Sequence, residues 1–172
     1  MNSDLLRRMK ILIVDDEPAN VALLEEILVE NGYTRLHAVL DSKRALDTCK
    51  EFSPDLILLD LMMPPPNGFA ILEALQQQRD ETFLPVVVLT ADTSEQTKRR
   101  ALETGATDFL CKPFDHTEVI LRIRNLLETR RVHLLLDNQR AALEEAFRER
   151  TAELHATIAE LEKRKEPVSD SA

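Results

Sequence analysis

Short apolar runs alternate with helical patterns along the first 114 positions of this 172-residue chain. Residues 11–14, 56–59 and 86–89 are apolar throughout. Such runs are expected of strands buried on both faces of a parallel sheet. Two weaker runs, 34–39 and 107–111, read as further strands. Helices are predicted over 17–30, with Pro18 in the first turn and Asn31-Gly32 at the end, and from Asp41-Ser42 to Phe52. Two more are predicted over 68–78 and over 92–103, the latter ended by Gly105. Ser53-Pro54 breaks the second helix, and three consecutive prolines mark the loop 62–67. Five β-α units joined by right-handed crossovers give an α/β, doubly wound sandwich.

After Asp115 the pattern changes. Residues 117–165 contain neither Gly nor Pro, far beyond the usual length of a surface helix. Val119, Ile123 and Leu126, with Ile120 and Leu127, form a broad face suited to packing on the sheet. Beyond Arg130 the stripe narrows to Phe147, Leu154 and Leu161 at seven-residue spacing, flanked by Leu143 and Ile158 and interrupted by Arg140, Arg150 and Thr151. Self-association as a coiled-coil homodimer would cover this stripe; a solvated, partly frayed helix is the alternative. The organisation expected is a domain over 9–128, a helical extension over 129–165 and a disordered tail over 166–172.

Composition narrows the function classes. The net charge of −9, with 19 acids against 12 bases before residue 115, leaves no basic face for phosphate neutralisation, so direct nucleic-acid binding is not expected. No run reaches the ~20 apolar residues of a membrane span. Cys49 and Cys111 suggest neither a disulfide framework nor a metal-ligand spacing, which fits a cytoplasmic setting.

The candidate chemistry lies where the strands end. Asp15-Asp16, Asp60, Thr90 and Lys112 each follow or close an apolar run. In a parallel sheet those C-terminal ends share one edge, where ligands bind. Topology therefore gathers residues 45, 75 and 97 positions downstream of Asp15. Two carboxylates ~4 Å apart repel by ~4 kcal/mol at an effective dielectric of 20, so the cluster needs a cation or a proton. All-oxygen ligands without His or Cys suit Mg²⁺. Metal, lysine and hydroxyl around one carboxylate are what phosphoryl transfer to Asp60 requires, with an acyl phosphate as product. In the bland reading, Asp15 only caps the following helix and Asp60 is a loop residue.

These residues stand in four segments, ILIVDDEP, LILLDLMMPPPNG, VVVLTA and DFLCKPF. In that order and spacing the chain resembles the receiver domain of two-component response regulators over about residues 9–128. The resemblance implies a flavodoxin-like, five-stranded sheet of order 2-1-3-4-5, with the last helix extended into a coiled coil. It implies that Asp60 is the phosphoacceptor, fed by a histidine kinase or phosphotransfer protein. Asp16, Asp60 and the Met62 carbonyl would hold Mg²⁺, with Asp15 helping through water. Lys112 would pair with the phosphoryl group. Thr90 and Phe109 would act as the switch, and Lys112-Pro113 would be a cis bond. Such a chain is a switch that assists its own phosphorylation and dephosphorylation and controls dimerisation or an output through its C-terminal helix.

Met62 and Asp92 occupy positions resembling those that tune dephosphorylation. The extension, with RNLLETRR and RERTAEL, is similar to linkers leading to histidine kinase, diguanylate cyclase or HD-GYP phosphodiesterase outputs. The chain is then a stand-alone receiver or a piece of a longer protein. Two other classes remain. A phosphatase of the haloacid dehalogenase type needs a second Asp two residues after the nucleophile, where this chain has Met62. A degenerate receiver acting only as a coiled-coil scaffold is the third.

Overall fold

The computed structural model describes residues 2–78 and 82–165; the tail expected over 166–172 lies outside them. In chain order the elements are α1 (Asn2–Leu6), β1 (Lys10–Val14), α2 (Pro18–Glu30), β2 (Arg35–Val39), a 3-10 turn (Ser42–Arg44) and α3 (Ala45–Phe52). They continue with β3 (Leu56–Asp60), α4 (Gly68–Gln77), β4 (Val86–Thr90), α5 (Glu95–Glu103), β5 (Asp108–Cys111) and α6 (His116–Lys165).

All strand pairs are parallel, in the order β2-β1-β3-β4-β5. Every residue of β3 and β4 is buried, whereas the edge strands β2 and β5 are only partly so. This distribution explains why the central runs are uniformly apolar and the edge runs weaker. Alternation along the strands divides the core. Leu12, Val14, Ile57, Leu59, Val86 and Val88 cluster with buried residues of α3, α4 and α5. Ile11, Ile13, Leu58, Val87 and Leu89 take the other face; the helices with apolar stripes left to cover it are α2 (Leu24, Ile27, Leu28) and the first turns of α6 (Val119, Ile123, Leu127).

The register fixes the edge that matters. Val14 pairs with Leu59, Asp60 with Leu89, and Thr90 with Cys111. The residues that end or follow β1, β3, β4 and β5 therefore stand side by side.

Three local differences from the sequence reading have physical causes. Helix α5 begins at Glu95 rather than Asp92 because Asp92 and Ser94 both serve as caps. Asp92 Oδ1 accepts from the Ser94 N–H (2.8 Å), and Ser94 Oγ accepts from the Thr97 N–H (3.3 Å). Asp41 opens a separate 3-10 turn by accepting from the Lys43 N–H, so α3 starts only at Ala45. Helix α1 was not expected from the mixed composition of the first ten residues, yet Leu6 and Met9 are buried.

The chain divides into two units at the His133–Leu134 bond. Within the second, α6 is helical through Lys165, and Leu143, Phe147, Leu154, Ile158 and Leu161 are all exposed.

Candidate functional site

The edge formed by the strand C-termini carries the acids at its centre. One carboxylate oxygen from each of Asp15, Asp16 and Asp60 lies within 4.8 Å of the others. Asp15 and Asp60 are buried at 0% and 2% exposure, while Asp16 is exposed. Each owes its place to its strand: Asp15 directly follows β1, and Asp60 closes β3.

Lys112, reaching in from the end of β5, joins the two buried acids. Its Nζ donates to Asp15 Oδ2 at 2.9 Å and stands 3.2 Å from Asp60 Oδ1. Asp15 is fully engaged. Its Oδ1 accepts from the Glu17 N–H at 2.9 Å, and its Oδ2 also accepts from Asn20 Nδ2 at 3.1 Å. Capping and pocket chemistry are therefore combined in one residue. Asp60 Oδ1 accepts from the Met62 N–H at 3.3 Å, and among the described residues no hydrogen bond reaches Oδ2. Beside it opens a cleft of about 500 Å³ lined by Asp16, Glu17, Asp60, Met62, Ala91 and Lys112.

Electrostatics follow from this packing. Burial, then the Asp15 charge, pushes the Asp60 carboxyl above its ordinary value, against the pull of Lys112 and the Met62 N–H. Burial would lower Lys112, but the hydrogen bond to Asp15 and the charges of Asp60 and Asp15 outweigh it and hold the ammonium above its ordinary value. Lys112 is thus a fixed positive charge at neutral pH. Its single positive charge faces three acids, which leaves the cleft anionic. The donors are oxygens only, with no His or Cys beside them, and lie close enough to share one hard divalent ion directly or through water. The acidic cleft thus fits Mg²⁺.

The other expected residues lie around this centre. Thr90 is buried at the end of β4, and its hydroxyl is engaged away from the acids. It accepts from the Asp92 N–H at 3.0 Å and donates to the Asp92 carbonyl at 3.2 Å. Phe109 is half-buried on β5, with Lys98 Nζ 4.7 Å and Arg122 Cζ 5.6 Å from its ring centroid. Arg122 is itself held by both carboxylate oxygens of Asp108 at 2.7 Å. The Lys112–Pro113 bond is cis, as is Pro65–Pro66.

Two contributors, Asn20 and Gly68, escaped the sequence reading, and Asp92 has a structural part as well. Asn20, one helical turn beyond Asp15, completes the shell of that acid. Asp92 holds Thr90 through its backbone and α5 through its carboxylate, whose Oδ2 accepts from Thr97 Oγ1 at 2.6 Å. Those hydrogen bonds, Thr97 first, hold the Asp92 carboxyl below its ordinary value. Gly68 backs the Asp60 peptide so closely that a Cβ there would stand 2.1 Å from the Asp60 carbonyl oxygen. Only the Asn-Gly pair after the prolines hinted at this close approach.

Comparison with known proteins agrees with this geometry. The family profile described as "Response regulator receiver domain" matches residues 11–124. Transcriptional regulatory protein CpxR of Escherichia coli is 44% identical over 124 residues, covering 72% of this chain and 50% of that protein. Response regulator PleD of Caulobacter vibrioides is 38% identical over 131 residues, covering 76% of this chain and 28% of PleD. The chain thus spans half or less of these curated relatives. A solved structure of a putative response regulator from Chloroflexus aurantiacus superposes with a TM-score of 0.66 at 30% identity, covering 70% of this chain and 98% of that one.

Proposed function

The chain belongs to the response regulator receiver domain family, and on that premise we propose that Asp60 accepts a phosphoryl group from the phosphohistidine of a partner kinase or phosphotransfer protein. The observation that carries this reading is the Lys112 ammonium set between Asp15 and Asp60, while Asp60 lines the cleft and, among the described residues, its Oδ2 has no hydrogen-bond partner. A carboxylate so placed is oriented by one oxygen and open at the other.

In the proposed reaction Asp60 Oδ2 attacks phosphorus as the P–N bond to the donor imidazole breaks. The imidazole leaves with the bond electrons and takes a proton. Lys112 stays protonated and neutralises charge on the transferring oxygens, and the Met62 N–H holds Oδ1. Asp16, Asp60 and the Met62 carbonyl would hold Mg²⁺, with Asp15 as an outer partner. The bound ion supplies positive charge to the oxygens in flight. Thr90 then exchanges its bonds to Asp92 for one to the phosphoryl group, and Phe109 follows as the second switch residue. The same groups let the domain promote its own phosphorylation and its hydrolysis back to carboxylate.

The change is read out through α6, by homodimerisation through the extension or by an output part beyond the matched region. A cytoplasmic setting accords with two free cysteines and with the lack, among the described residues, of a helix long and apolar enough to cross a membrane. Direct nucleic-acid binding by the residues present is disfavoured by a net charge of −9. The phosphatase reading lacks its acid, since position 62 is an exposed Met.

Acetyl phosphate with Mg²⁺ is expected to add one phosphoryl group to the protein, seen by intact mass spectrometry, and none to Asp60→Asn. Stoichiometric labelling of that variant would remove Asp60 from the role.

A further inference from the structure

We infer that residues 136–161 of α6 pair in parallel with the same segment of a second copy of this chain, on an eleven-residue rather than a seven-residue repeat. The inference deepens the homodimer half of the proposed function and rests on it.

The observation is the spacing of the exposed apolar side chains. Leu136, Leu143, Phe147, Leu154, Ile158 and Leu161 are each 50–73% exposed on a helix unbroken through Lys165. Their separations are seven, four, seven, four and three residues. Leu143 and Leu154 are eleven apart, and so are Leu136, Phe147 and Ile158 in succession. Seven residues fall short of two helical turns by about 20°, and eleven overshoot three turns by about the same angle, so the repeat decides which side chains share the seam.

Counting by sevens from Phe147 places Arg140 with Leu154 and Leu161 on one line of the seam and Thr151 with Ile158 on the other, and leaves Leu136 and Leu143 outside it. Counting by elevens sets Leu136, Phe147 and Ile158 on one central line and Leu143 and Leu154 on the other, and moves Arg140 and Thr151 to one flank. The opposite flank holds Gln139, Arg150 and Leu161. Arg150 is accommodated there because its guanidinium is turned to Glu153 at 3.0 Å, leaving its methylenes to line the seam. An eleven-residue repeat winds with a slight right-handed twist, the opposite of a heptad coil.

Two arguments make a second copy the occupant. A partner must keep the same spacing in step over more than two repeats, and an identical chain does so by construction. Charge also complements itself in the parallel register. Glu162 and Arg164 stand on opposite flanks of the seam at nearly one level, so two copies set Glu162 of each beside Arg164 of the other. Among the described residues of one chain Arg164 pairs with Glu160, at 4.0 Å with both side chains largely exposed.

Single cysteines in the full chain test this, with the parent, whose Cys49 and Cys111 are half-buried, as the blank. Under mild oxidation Leu143→Cys, Leu154→Cys and Ile158→Cys are expected to cross-link at least ~10-fold faster than Arg140→Cys and Thr151→Cys. Light scattering is expected to show a dimer for the parent and a monomer for Phe147→Glu, with Asp60 labelling unchanged. Cross-linking of Arg140→Cys as fast as Ile158→Cys overturns the eleven-residue seam while leaving a dimer. A monomeric parent overturns the pairing altogether, and Asp60 labelling in the same sample shows whether the phosphoacceptor role stands without it.

Discussion

Replacing Lys112 by Met removes the only cation, among the described residues, bonded to the two buried acids, while keeping most of the side chain's volume. At an effective dielectric of 20, an ammonium 2.9 Å from Asp15 and 3.2 Å from Asp60 contributes gross attractions of about 6 and 5 kcal/mol. Carboxylate oxygens within 4.8 Å repel by about 3.5 kcal/mol on the same scale. Most of the attraction offsets the cost of withdrawing the ions from water, so the net effect of Lys112→Met is the about 3–5 kcal/mol seen when one partner of a buried pair is lost. For a first unit ending at His133, this lowers the melting temperature by about 10–18 °C in EDTA.

Two signatures separate this cause from a general packing defect. Without Lys112, the Asp60 carboxyl, already raised by burial and the Asp15 charge, loses the ammonium that pulls it down and stands further above its unfolded value. A raised acid costs stability above its folded pKa and is relieved as pH falls, so the deficit shrinks between pH 7 and pH 5. In the parent, Lys112 is itself raised above 10.5, so its contribution is complete below that value and is lost as pH climbs through the folded pKa. Mg²⁺ restores positive charge, and its stabilisation, about 2.7 kcal/mol at a hundredfold excess over Kd, is expected to be larger in the variant than in the parent. Scanning calorimetry and urea melts at both pH values provide the check. A loss below about 1 kcal/mol in EDTA, or a deficit that ignores pH and Mg²⁺, refutes the account of a lysine balancing two buried acids.

Gly68→Ala drives a methyl group into the Asp60 carbonyl at 2.1 Å and the Leu61 Cα at 2.6 Å, and is expected to cost at least about 2 kcal/mol in urea unfolding together with Asp60 labelling. Thr97→Val removes the leading cause of the depressed Asp92 carboxyl, so its pKa measured by NMR is expected to move up toward 3.8. A depressed acid contributes stability present above its unfolded pKa and lost as pH falls through its folded one. The parent therefore holds the start of α5 to lower pH than Thr97→Val, as α5 amide exchange between pH 5 and pH 3 reports.

The sheet and the gathering of Asp15, Asp60, Thr90 and Lys112 were legible because both are consequences of topology. Runs such as LILLD, bounded by breakers and alternating with helical patterns, fit the middle of a parallel sheet, and strand ends then share an edge whatever the intervening helices do. Less legible was anything set by side chains choosing among local partners. The Thr90 hydroxyl bonds the Asp92 backbone, and Asn20 turns to Asp15. Short polar side chains have several backbone and side-chain partners within reach, and spacing alone does not rank them. Gly68 was read only as the opening of a helix, because a close approach between α4 and the Asp60 peptide leaves no periodic trace. Helix α1 is hidden for the opposite reason: Leu6 at its end and Met9 just beyond it are buried, too few to form a pattern.

On the proposed reading, the resting contacts bound how strongly phosphorylation can shift the domain. Moving Thr90 to a phosphoryl oxygen gives up two neutral bonds to the Asp92 backbone, about 1 kcal/mol each, for one charge-assisted bond of about 1.5–3 kcal/mol. The exchange is close to balanced. Displacing Phe109 from Lys98 and Arg122 gives up about 0.5–1 kcal/mol for each partly exposed cation–aromatic contact. A switch whose local gains and losses nearly cancel changes populations by a modest factor, and a ligand can shift them further only by its own difference in affinity for the two conformations. The sharper response therefore requires a partner that binds one conformation preferentially. On the proposed pairing through the apolar stripe of α6, a second copy is such a partner.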